Sequence, residues 1–138
     1  MNGYYHSKAN IQTVPGELHT KIIISMDTKI VCSGALFYAL NTKRLLFLHR
    51  ASSKRNNVWG LVGGTNEGKE TPWEGLSREI TEEIGEVLIK KTIPLETFIS
   101  NDSKFHFHTY LCIIDNEFMP SLNNEHDGHA WASFSKWP

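Results

Sequence analysis

No run of apolar residues approaches the roughly 18 needed to cross a bilayer, and the polar residues 1–16 contain no apolar core like that of a secretory leader. Cysteine is scarce. Cys32 and Cys112 each sit inside an apolar run and show no Cys-x-x-Cys spacing, so they read as reduced core thiols and not as a disulfide or metal framework. These absences together point to a cytoplasmic protein without a membrane partner. Neither charge dominates: 14 Lys and Arg stand against 15 Asp and Glu, a formal charge of -1. A long nucleic acid or an anionic membrane would find no basic surface to bind. Internal repeats and low-complexity tracts are also lacking. With 40% apolar and 21% charged residues, the 138 residues suit a single domain over 1–138, with residues 1–20 expected to be irregular.

What is present is a series of short strand-like runs around one strong helix. Runs rich in Val, Ile and aromatic residues predict strands at 21–25, 31–40, 44–49, 58–62, 93–100, 104–115 and 130–134. The run at 58–62 stops at Gly63-Gly64, where the backbone must turn or let another group approach closely. Thr71 as N-cap, Pro72 at the first helical position and Glu74 as the capping-box partner predict a helix over 72–84, stopped by Gly85. Gly75 interrupts it at a cost of about 0.5–1 kcal/mol relative to Ala, which implies close packing against sheet or loop. Strands on both sides of one helix predict an α+β domain with a mixed sheet.

The neutral total hides a local imbalance. Glu67, Glu70, Glu74, Glu79, Glu82, Glu83 and Glu86 crowd into positions 64–86, with only Lys69 and Arg78 to balance them. Glu79, Glu82, Glu83 and Glu86 share one helical stripe. Like charges at such spacings cost about 0.2–0.5 kcal/mol per pair, and the helix dipole disfavours carboxylates near the C-terminal end. A solvated acidic face is one reading. A divalent cation held by carboxylate oxygens is the other.

From Gly64 the order is five residues, Glu70, seven residues, then Arg78-Glu79-Ile80-Thr81-Glu82-Glu83-Ile84-Gly85. This resembles the Nudix (MutT-type) hydrolase signature, G-x5-E-x7-R-E-U-x-E-E-x-G-U with U apolar. Glu86 occupies the last apolar position, with Val87 after it. Trp59-Gly60-Leu61-Val62-Gly63-Gly64 also resembles the family's run into this box, with Val62 where Pro is usual.

The resemblance implies an α/β/α sandwich with a mixed parallel and antiparallel sheet and a catalytic loop-helix-loop. It further implies hydrolysis of the diphosphate linkage of a small nucleotide derivative, such as ADP-ribose, a dinucleoside polyphosphate or a (d)NTP. Carried over by position, Glu79, Glu82 and Glu83 with the Gly63 carbonyl would hold Mg²⁺, or Mn²⁺ as a substitute. Arg78 would pair with Glu70 to hold loop against helix, with Gly64 and Gly85 as structural support. Glu82 is the first choice for the base that takes the attacking water's proton. Glu125, six residues before Trp131, is the second choice, and neighbouring Asp127 could serve as well. Arg50, Lys54 and Arg55 are candidates for phosphate or ribose contacts, and Trp59, Phe105 and Phe107 for stacking a base. His106 and His108 share a strand face; His126 and His129 read as solvated loop residues. The family usually continues beyond the position of Trp137-Pro138 into a helix covering the sheet, so a minimal chain, an absent segment and a homodimer are three readings.

Two alternatives stand beside this. Gly63 to Lys69 fits the phosphate-loop pattern G-x-x-x-x-G-K, but Glu70 stands where that motif needs Ser or Thr. A non-catalytic nucleotide-binding module of the same fold would be favoured by loss of box carboxylates, and none is missing.

Overall fold

The computed structural model describes residues 29–51 and 58–135. The strand expected at 21–25 lies outside these residues, as do Lys54, Arg55 and Trp137-Pro138.

Strand β1 (Ile30–Ala39) alternates two faces: Ala35, Phe37 and Ala39 are fully buried on one, while Leu36 and Tyr38 take the other. Along one edge it pairs in parallel with β6 (Phe105–Ile114), from Ile30 opposite Phe105 to Ala39 opposite Ile114. Outside β6 lies the antiparallel β5 (Lys91–Ile99). The other edge of β1 is shared. Residues Cys32–Ala35 pair with β4 (Val62–Thr65), and Tyr38 and Ala39 with β2 (Arg44–Arg50). Strand β2 then diverges to pair with β3 (Trp59–Gly60) and β7 (His126–Ala132), both antiparallel. The sheet is therefore mixed, as the alternation of strands and helix predicts.

Helix α1 (Pro72–Ile84) has the expected ends: a complete Thr71–Glu74 capping box, and Gly85 at φ 88 where the chain turns away. Leu76, Ile80 and Ile84 are buried against Ala35, Phe37, Leu46, Leu48, Val62 and Cys112. Each such side chain contributes about 1.5–3 kcal/mol. Glu86 is exposed and Val87 packs on this core, so the apolar contact at the helix exit falls one residue later than in the signature. Among the described residues α1 is the only helix. The opposite face carries a smaller cluster of Leu45, Phe47 and Ala132 with Leu36, Tyr38, Trp59 and Leu61. Both cysteines are free, and burial pushes the Cys112 thiol up to about 12.

Two strands differ most from their expected extents. The run at 58–62 splits into β3 and β4, and β4 continues through Gly63-Gly64 because the missing side chain of Gly63 lets β1 come alongside. Strand β7 begins at His126 and not at 130. The segment His126–His129 has little strand character of its own and is extended by its ladder with β2. The chain before it is fastened to the core. Phe118 meets Phe37 and Trp131 edge-on, and Glu117 accepts two bonds from Arg44, 2.6 and 2.7 Å long.

Candidate active site

Three glycines set how closely the parts of the site approach. A Cβ on Gly63 would run into the Ser33 carbonyl and sit 2.8 Å from the Gly34 Cα, so this position brings β4 against β1. A Cβ on Gly64 would lie 2.5 Å from the Glu79 Cδ, so the Glu79 carboxylate occupies the space over that backbone. On α1, a Cβ on Gly75 would lie 2.8 Å from the Asn66 Cγ. The loop 66–70 thus rests on the helix at the residue that costs helix propensity.

Arg78 ties these parts together. Its Nε and Nη2 donate to the two oxygens of Glu70 at 2.8 and 3.1 Å, and Nη2 also donates to the Thr65 carbonyl at 3.1 Å. On its outer side Nη1 lies 3.2 Å from Glu82 and 3.5 Å from Glu67. The Arg78 bond, reinforced by the Glu67 amide, holds the Glu70 carboxyl below its usual range. The same bond raises Arg78 above its own. A planar fork is needed to serve two partners at once. Arg78→Lys is therefore expected to keep the fold but lower kcat about 10-fold, measured as nucleotide hydrolysis; unchanged turnover would show that the fork is dispensable.

The glycines and Arg78 frame a polar cleft of about 460 Å³ lined by Arg50, Gly63, Gly64, Thr65, Asn66, Glu67, Glu79, Glu83 and Glu125. Glu83 is 2% exposed and accepts a 3.2 Å bond from the Gly63 amide. Burial, which outweighs that bond, and repulsion from Glu79 and Glu125 push its pKa up to about 8. Burial likewise pushes Glu79 up to about 7 against the pull of Arg78, with Glu82 and Glu125 adding repulsion. Glu82 is half exposed beside Arg78 and does not line the cleft. Among the described residues, no three His, Cys, Asp or Glu side chains close around one point. The donor set nevertheless suits a hard dication: all oxygen, with two of the carboxylates desolvated and repelling each other beside the cations Arg50 and Arg78.

The two loop carboxylates that the sequence could not separate go different ways. Glu125 lines the cleft, with Asn123 bonded to both its amide and its side chain. Asp127 turns away and bonds His49 Nδ1 at 2.5 Å, and the sequence reading had not singled out His49. Arg50 lines the cleft. Trp59 and Phe107 lie on the sheet face opposite α1: Trp59 stands edge-on to His49 at 4.9 Å, and Phe107 packs over Gly34. Phe105 is buried between Phe98 and Phe107. His106 and His108 have ring centroids 6.3 Å apart and bond the Ser103 carbonyl and the Thr97 hydroxyl. His126 is 6% exposed, contrary to the solvated reading, because its strand begins there. No described helix is long and apolar enough to cross a membrane.

The site is thus a loop-helix-loop on a mixed sheet, with the buried Glu83 and the half-buried Glu79 beside a glycine pair. The family model of the NUDIX domain matches residues 32–137, and the chain belongs to the Nudix family of pyrophosphohydrolases. Members of that family generally use divalent metal ions. No curated protein matches the chain in sequence. Among solved structures it is similar to the E. coli dihydroneopterin triphosphate pyrophosphohydrolase, with 24% identity, a TM-score of 0.57 and coverage of 75% of this chain and 80% of that one. It is also similar to a C. elegans Ap4A hydrolase in a binary complex, with 19% identity, a TM-score of 0.60 and the same coverages. The NUDIX domain of Shewanella oneidensis NrtR, complexed with ADP ribose, has 14% identity and a TM-score of 0.65, covering 90% of this chain and 85% of that one. At these identities the likeness is one of fold.

Proposed function

We propose that this protein hydrolyses the diphosphate linkage of a small nucleotide derivative, with Mg²⁺ or Mn²⁺ as its metal. The observation that carries this reading is the pair Glu79 and Glu83, desolvated in one polar cleft and raised to about 7 and about 8. Such carboxylates are costly unless a cation joins them. Glu79, Glu82, Glu83 and the Gly63 carbonyl are the groups that would hold it. When bound, divalent metal offsets the charge of the diphosphate, polarises its phosphoryl oxygens and makes the attacking water more acidic. Arg50 offers the cleft a guanidinium for a phosphate oxygen. Glu82 beside the cleft, or Glu125 within it, takes the water's proton during in-line attack on phosphorus. Trp59 and Phe107 are the aromatic surfaces available to a base.

A panel of ADP-ribose, dinucleoside polyphosphates and deoxynucleoside triphosphates, incubated with and without Mg²⁺, tests the reading. Metal-dependent cleavage of at least one is expected. Binding without cleavage across the panel would leave a nucleotide-binding module instead.

Metal and protons compete for the same oxygens. Because burial pushes Glu79 up to about 7 and Glu83 up to about 8, binding at about pH 7 should displace protons. Affinity should then rise with pH up to about 8.5. Calorimetry of Mg²⁺ or Mn²⁺ binding in buffers of different ionisation enthalpy should detect proton release. Equal heats in all buffers would contradict the assignment of these carboxylates as ligands.

A further inference from the structure

At its cleft end the β2–β7 ladder slips by one residue. His49 lies opposite Gly128 but Arg50 lies opposite His126, which leaves Asp127 as the extra residue of a β-bulge. A regular ladder would put Asp127 opposite Arg50, on the face of the cleft. The bulge puts the buried His126 there and swings Asp127 to the opposite face. It also brings Glu125 one position nearer to β2, where the Ala51 amide donates to the Glu125 carbonyl at 3.0 Å and the Glu125 side chain lines the cleft. Which loop carboxylate reaches the cleft is thus decided by the bulge.

One side-chain bond spans this irregularity. His49 Nδ1 meets the Asp127 carboxylate at 2.5 Å; since an ionised carboxylate only accepts, Nδ1 carries the proton. The ring is braced edge-on by Trp59, its ladder partner on β3, and the His49 side chain is 23% exposed.

We propose that His49 and Asp127 are positioning residues that hold the β7 bulge and thereby keep Glu125 over the catalytic cleft. The inference rests on the reading of Glu125 as part of the hydrolytic site. Loss of the bond lets β7 revert towards a regular ladder, which turns residue 127 to the cleft opposite Arg50 and moves Glu125 one position away from β2.

The test uses the full chain with His49→Phe, which keeps a ring against Trp59, and His49→Asn, whose amide can replace the Nδ1 donor. Asp127→Ala and Glu125→Gln complete the set. His49→Phe and Asp127→Ala are each expected to lower kcat about 10-fold with KM nearly unchanged, and His49→Asn to recover most of that loss. In the Glu125→Gln background, His49→Phe should cost nothing further, because its effect passes through Glu125. Multiplicative losses in that background, or wild-type kcat in His49→Phe, would overturn the proposal. So would wild-type kcat in Glu125→Gln, since nothing would then need positioning. Amide hydrogen exchange supplies a readout independent of turnover: His49→Phe should speed exchange over residues 125–128. Unchanged exchange there refutes the bulge-holding role whether or not a nucleotide is cleaved, while absence of cleavage in the wild type refutes the hydrolase reading alone.

Discussion

Glu83→Gln is expected to lower kcat at least about 100-fold while leaving the fold intact. The substitution keeps size and shape, and the amide oxygen can still accept the bond from the Gly63 N–H that Glu83 accepts at 3.2 Å. Only the charge is lost, and charge is what a cation ligand must supply. Glu79→Gln and Glu82→Gln should fall in the same range, with Glu82→Gln probing the carboxylate beside the cleft that is the first choice of base. The same change has an opposite effect on stability. The pKa of Glu83 is raised to about 8 by burial, so the folded metal-free protein binds this proton more tightly than the unfolded chain does. The resulting stabilisation is complete below about pH 4 and is lost as pH rises through about 8. Glu83→Gln has no such loss. Metal-free Tm values should therefore favour the variant at about pH 9 more than at about pH 6. A variant that is both inactive and less stable at pH 9 would mean that Glu83 is a packing residue and not a ligand.

The second large effect separates two adjacent glycines. Gly63→Ala should destabilise the protein by about 3 kcal/mol, or about 10 °C in Tm. The added Cβ would meet backbone on β1, the Ser33 carbonyl and the Gly34 Cα, which can yield only by opening the β1–β4 ladder. Gly64→Ala meets a side chain instead, the Glu79 carboxylate, which can rotate away. Stability should change by less than about 1 kcal/mol, while hydrolysis falls at least about 100-fold as Glu79 leaves its place. Thermal denaturation and a kinetic assay on both variants check the pair. Comparable Tm losses in the two would show that Gly64 also serves mainly to admit the fold.

How much of this was legible beforehand follows the range of the forces involved. Helix α1 was readable to the residue because the Thr71–Glu74 box, Pro72 and Gly85 act within one turn of the chain. The spacing of Glu79, Glu82 and Glu83 was readable for the same reason. Strand β7 was readable only from residue 130, since His126–His129 is extended only by its partner β2. The choice between Glu125 and Asp127 was equally hidden: a one-residue slip against a strand some 80 residues earlier leaves no mark on the local sequence. The His49–Asp127 bond and the burial of His126 belong to that slip. Gly75 could be seen to need a close neighbour, but the identity of that neighbour, Asn66, depends on how loop meets helix.

The parallel ladder between β1 and β6 bears on how the molecule forms. Ile30 lies opposite Phe105 and Ala39 opposite Ile114, an offset of 75 residues throughout. The β1–β2 turn and α1 can form early from near neighbours, but this edge of β1 must wait for a distant segment, and closing so large a loop is slow. Refolding in the millisecond-to-second range is the expected regime, and until β6 docks, β1 presents an open strand edge on which chains can aggregate.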